Sequence, residues 1–113
     1  MHALIIEDET VIAMVIEDIL RECGFTSFDF ASSPQAALDA AASQSPDLIT
    51  SDVQLKPGCG IATVQTIRSG LAVPVIFITG NAGDVTRRMP GFPVLSKPFS
   101  QAALSTAVAA ALG

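Results

Sequence analysis

Leu48-Ile49-Thr50-Ser51-Asp52 and Val75-Ile76-Phe77-Ile78-Thr79 decide how this chain folds. Each is a short apolar run that ends on a polar residue. The pattern recurs at Leu4-Ile5-Ile6 ahead of Asp8 and at Val94-Leu95 ahead of Lys97. Continuous Val/Ile/Leu runs of this length mark parallel strands buried on both faces. The carboxyl ends of such strands share one edge of the sheet, and ligands of open α/β sheets bind outside that edge. Set side by side, the runs bring two carboxylates, a hydroxyl and an ammonium to one spot. Taken singly, an Asp at a strand end is usually a cap or turn former, and a lysine before proline is usually solvated surface. The signal is the recurrence.

Between the runs the periodicity changes. The first strand is expected at about His2 to Glu7, followed by a helix over Thr10 to Cys23 that Gly24 ends. Its apolar face is Ile12, Val15, Ile16, Ile19, Leu20 and Cys23 at helical spacing. Phe25 to Phe30 alternates with period two, the pattern of a half-exposed edge strand. Ser33-Pro34 starts a second helix, with serine capping and proline in the first turn. The third strand spans Asp47 to Ser51, and Lys56-Pro57-Gly58-Cys59-Gly60 reads as a flexible loop before a short helix, Ile61 to Arg68. Strand four is Val73 to Ile78, and strand five is Phe92 to Ser96. Gly80 to Pro90 holds at most a short helix, and Ser100 caps a last helix carrying Leu104, Val108 and Leu112. Alternating β and α five times implies a flavodoxin-like, doubly wound five-stranded parallel sheet in the order 2-1-3-4-5, with helices on both faces.

Composition limits the function. The 113 residues suit one domain with a real core, and half of them are apolar, which excludes disorder. Eleven acidic and six basic residues give a net charge of −5, a surface that repels a phosphate backbone, so no direct nucleic-acid binding is expected. No apolar stretch approaches the ~18–20 residues of a membrane span. Cys23 and Cys59 have no paired spacing and read as free thiols, so the expected location is cytoplasmic. No zinc-ligand spacing and no phosphate-binding GxxxxGK[ST] loop occurs.

The chemistry follows from grouping. Glu7, Asp8 and Asp52 as neighbours repel one another, so either some stay protonated or a cation sits among them. Hard oxygen donors suit Mg²⁺, and Lys97 adds a fixed positive charge opposite. A carboxylate flanked by Mg²⁺ and a lysine is a credible nucleophile toward a phosphoryl group, with the Thr79 hydroxyl as a further donor. Gly80 beside it leaves room for the group to enter.

The set Glu7-Asp8, Asp52, Thr79 and Lys97-Pro98-Phe99 resembles the receiver domain of two-component response regulators, over essentially the whole chain. The step of 44 residues from Asp8 to Asp52 is similar too. The resemblance implies that residues 1–113 form a single receiver domain with no output domain. It implies Asp52 as phosphoacceptor, served by a sensor histidine kinase or histidine phosphotransfer protein. Mg²⁺ would be held by Asp8, Asp52 and the backbone carbonyl of Gln54, with Glu7 supporting through water. Lys97 would pair with the phosphoryl group, Thr79 would move toward it, and the Lys97–Pro98 bond would be cis. The output would run through a downstream protein partner, or the domain would serve as a phosphate sink.

Two departures from the family pattern stand out. Val94 occupies the position where the family often has a switching aromatic, with Phe92 out of register. Only 18 residues lead from Thr79 to Lys97, so the fourth helix is expected to be shortened or disordered. The Val75-to-Gly80 stretch and this short loop resemble an alphaproteobacterial subgroup that partners HWE-type kinases. On the first helix, Val11, Ala13 and Met14 lie off the core face near Asp8, as a docking patch would. Two other classes stay open on sequence: a receiver-like binding domain that signals without phosphate, and a small Mg²⁺-dependent phosphohydrolase with Asp52 as nucleophile. Gln54 in place of a second aspartate argues against the hydrolase. The intact acidic, hydroxyl and lysine set argues against the binding domain. The chain is therefore read as a phosphoacceptor and not as a turnover enzyme.

Overall fold

The computed structural model describes residues 1–55 and 59–113. Its elements are β1 (His2–Ile6), α1 (Thr10–Glu22), β2 (Ser27–Ala31), α2 (Pro34–Ser43), β3 (Leu48–Ser51), α3 (Gly60–Arg68), β4 (Val75–Thr79), α4 (Ala82–Arg88), β5 (Val94–Ser96) and α5 (Gln101–Leu112). The strands are all parallel, in the order β2-β1-β3-β4-β5, as expected from the sequence.

The apolar runs are continuous because each strand feeds two cores. Leu4, Ile6, Ile49, Val75 and Phe77 pack in one cluster with residues of α2, α3 and α4. Ala3, Ile5, Leu48, Ile76 and Ile78 pack in the other with residues of α1 and α5. Burying a side chain of this size is worth roughly 1.5–3 kcal/mol. These doubly buried strands therefore pin the register on which the site depends.

Local signals set the boundaries. The Ser33 hydroxyl accepts from Ala36 N at 3.2 Å with Pro34 at the first position of α2, and Ser100 caps α5 by accepting from Ala103 N at 3.0 Å. Gly24 leaves α1 at φ +102°, a conformation that side chains disfavour. Strand ends differ from expectation by one to two residues. Phe25 is fully buried outside β2, and Glu7 falls just beyond β1. The fourth helix is short, seven residues, and Asn81 caps it. The Lys97–Pro98 bond is cis. The loop reading at 56–58 lies outside the described residues. Its last residues are placed: Cys59 bridges Gln54, and Gly60 opens α3.

One face assignment needs correction. Val15 is exposed and Ala13 is buried, the reverse of the expectation. At about 100° per residue, Ala13 lies about 60° from the stripe centre at Ile16, whereas Val15 lies about 100° away. The larger side chain is thus the one turned to solvent. Among the described residues, no helix is long and apolar enough to cross a membrane.

Candidate functional site

The carboxyl ends of β1, β3, β4 and β5 deliver the site. Asp8 follows β1, Asp52 follows β3, Thr79 ends β4, and Lys97 follows β5. Parallel register sets their depth: Ile6 pairs with Ser51, and Thr79 pairs with Ser96. The main chain repeats this alignment, with Asp52 N donating to Ile6 O at 2.9 Å and Lys97 N donating to Thr79 O at 2.9 Å.

The side chains converge as the sequence predicted for the charged members. One ligand oxygen each from Glu7, Asp8 and Asp52 lies within 4.8 Å of the others. Lys97 Nζ donates to Asp52 Oδ2 at 3.1 Å and stands 2.9 Å from Glu7 Oε1. That second contact is an ion pair outside hydrogen-bond geometry. Glu7 Oε1 therefore remains a buried oxygen with no hydrogen bond among the described residues. Glu7 Oε2 accepts from Glu9 N at 3.2 Å, and Asp52 Oδ1 accepts from Gln54 N at 3.3 Å. Glu7 and Asp52 are buried, while Asp8 faces solvent at the mouth.

Thr79 stands at the same edge, buried, but its hydroxyl accepts from Asn81 N at 3.1 Å and is not drawn to Lys97. A Cβ at Gly80 would meet nothing within 4 Å, so the space beside Thr79 is open. Gln54 is exposed and touches the site through its backbone amide. Two further residues bear on the site, Ser51 and Gly60. The sequence marks Gly60 only as loop, because its importance comes from a close approach that no local pattern announces.

Burial pushes the Glu7 carboxyl above its ordinary range, and the charge of Asp52 adds to this, while Lys97 and the Glu9 amide oppose it. Burial alone would depress the Lys97 ammonium. The close carboxylates of Glu7 and Asp52 outweigh that, and its pKa lies above the ordinary value. The trio is thus partly, not fully, compensated by one lysine. An all-oxygen donor set of three carboxylates, only partly compensated by one lysine and with a buried Glu7 oxygen that accepts no hydrogen bond among the described residues, fits a small hard cation such as Mg²⁺.

A parallel sheet in this order, with an acidic trio and a lysine at the crevice between β1 and β3, defines a phosphoacceptor signalling domain. Residues 3–109 match the response regulator receiver domain, and the chain belongs to that family. It is 36% identical over 116 residues to the phyllosphere-induced regulator PhyR of Methylorubrum extorquens, covering 96% of this chain and 42% of that protein. The solution structure of the Erythrobacter litoralis PhyR receiver domain superposes with a TM-score of 0.89 at 35% identity, covering 98% of this chain and 88% of that one. A mutant of the anti-anti-sigma factor PhyR from Bartonella quintana gives a TM-score of 0.87 at 30% identity, covering 98% of this chain and 48% of that one. These are the alphaproteobacterial relatives that the Val75-to-Gly80 stretch pointed to. The chain spans about half the length of the curated relatives it matches.

Proposed function

We propose that Asp52 accepts a phosphoryl group from the histidine of a sensor kinase or phosphotransfer protein, and that the acylphosphate so formed switches contacts with a downstream protein. The observation that carries this is the pairing of Lys97 Nζ with Asp52 Oδ2 at 3.1 Å inside the acidic trio. An Asp52 oxygen attacks phosphorus in line, the phosphorus–nitrogen bond of the donor breaks, and the donor imidazole leaves with its electron pair. Asp8, Asp52 and the Gln54 carbonyl, with Glu7 behind them, would hold Mg²⁺, which when bound would offset charge on the phosphoryl oxygens. Lys97 then follows the charge from the carboxylate to the phosphoryl group. The Thr79 hydroxyl leaves the Asn81 amide to donate to it, and the open space beside Gly80 admits the group.

Gln54 offers no acid or base for rapid hydrolysis, so the phosphoryl group persists as a signal rather than turning over. The domain acts as one receiver unit, and its state is read by protein contact. The subgroup resemblance of the Val75-to-Gly80 stretch and the short loop after it favours an HWE-type kinase as donor, and likeness to the anti-anti-sigma factor PhyR favours sigma-factor control as output.

Incubation with a small phosphodonor and Mg²⁺, followed by intact mass, tests the assignment. The wild type gains one phosphoryl group and Asp52→Asn gains none. Equal labelling of both removes Asp52 from the role.

A further inference from the structure

Gly60 is buried at the first position of α3, directly under the acceptor strand end. Its N–H donates to Val53 O at 2.8 Å. A Cβ built on Gly60 would stand 1.8 Å from Asp52 O, 2.9 Å from the Asp52 carbonyl carbon and 2.9 Å from Ser51 Oγ. The atoms in the way are mostly main chain, so no side chain can swing aside. Ser51, itself fully buried, donates its hydroxyl to the same Asp52 O at 2.8 Å. Two successive carbonyls are thus held, that of Asp52 by Ser51 and that of Val53 by Gly60. The Gln54–Cys59 bridge closes the loop just beyond. At Gly70, by contrast, a Cβ would meet nothing within 4 Å.

We propose that Gly60 and Ser51 are positioning residues for phosphoryl acceptance, which seat the Asp52 main chain so that its carboxylate meets Lys97 and the cation together. This rests on Asp52 being the acceptor. Relieving a 1.8 Å approach to ordinary contact requires a main-chain shift of more than about 1 Å. Cation and in-line transfer sites tolerate about 0.5 Å. A methyl group at residue 60 therefore disturbs the acceptor before it disturbs the sheet, whose register is set by other residues.

The test compares wild type, Gly60→Ala, Ser51→Ala and Gly70→Ala, using Mg²⁺ alone as probe by titration calorimetry at a temperature where each protein is folded. Phosphorylation from a small phosphodonor is measured alongside. Gly60→Ala is expected to weaken Mg²⁺ binding and slow phosphorylation roughly tenfold or more, Ser51→Ala by a smaller factor, and Gly70→Ala not at all. A Gly60→Ala protein that melts lower yet binds Mg²⁺ as the wild type does would show a merely structural glycine and overturn the inference. Should Gly60→Ala fail to fold, wild-type Mg²⁺ affinity in Ser51→Ala overturns it instead. A wild type that neither binds Mg²⁺ nor gains a phosphoryl group overturns the acceptor reading itself, whatever the variants do.

Discussion

Glu7 concentrates the electrostatic strain of the site in one carboxyl group. Burial raises its pKa above the ordinary value of 4.5, with Asp52 adding to the effect and Lys97 opposing it. The folded chain therefore holds this proton more tightly than the unfolded chain does. The resulting contribution to stability is complete below the ordinary Glu range and is lost as pH rises through the raised folded value. Lys97 behaves in the same way, its contribution complete below its ordinary value of 10.5 and lost only as pH rises beyond that. In metal-free protein, Glu7→Gln should thus be little different from wild type near pH 4 and the more stable of the two near neutrality. Urea midpoints measured across that range check it. A difference that shrinks as pH rises would reverse the sign and refute the assignment. Added Mg²⁺ should erase the advantage, because the cation then compensates the ionised wild-type carboxylate.

Strand β2 lies at the edge of the sheet and is held by more than its ladder to β1. The buried His2 ring shares one hydrogen bond with Ser27 Oγ and places Nε2 2.9 Å from Asp29 Oδ2, so a single side chain of β1 grips two residues of β2. The His2 main-chain N–H donates to Asp47 Oδ2 at 2.8 Å, tying in the start of β3 as well. His2→Ala should cost about 1–2 kcal/mol, since two hydrogen bonds of modest net worth vanish and Ser27 and Asp29 can rehydrate. The midpoint of urea unfolding should fall with its slope unchanged. At the opposite side, α4 is only seven residues long, and its Asn81 cap sits next to the amide that holds Thr79. A Thr79 hydroxyl recruited to the phosphoryl group must release that amide. Val94 is half-buried against the core and makes no aromatic swing possible.

On the whole molecule, the acidic cluster is flanked by apolar surface on both sides of α1. Met14 and Phe30, both exposed, line a groove of about 340 Å³ with Glu7, Asp8 and Glu17. Ile12, Val15 and Phe99 line a second groove that includes Lys97. Val11 is the most exposed large apolar side chain, at 74%. If the proposed acceptor role holds, apolar surface gathered around the acidic cluster is what a helical partner carrying a phosphohistidine would cover. Met14→Asp should therefore slow phosphotransfer from the partner roughly tenfold, the effect of about 1.4 kcal/mol of lost docking energy, while Mg²⁺ binding stays intact. Stopped-flow transfer kinetics decide it, and unchanged rates would remove the patch from docking.

The architecture was legible in the chain because strands buried on both faces leave a continuous apolar signature and their polar successors mark a common edge. Leu48-Ile49 ahead of Asp52 and Val94-Leu95 ahead of Lys97 were enough to bring those two side chains to one crevice. The helix starts at Ser33 and Ser100 were equally readable, since capping is a contact between near neighbours. Three features were decided only by tertiary structure: Lys97 bridging Glu7 and Asp52, the exchange of Ala13 for Val15 on the core face, and the approach of Gly60 to the Asp52 carbonyl. Each depends on distances between segments remote in sequence, or on the rotation of a helix against its sheet. Periodicity records which face of an element is apolar, while packing alone determines how closely two backbones meet.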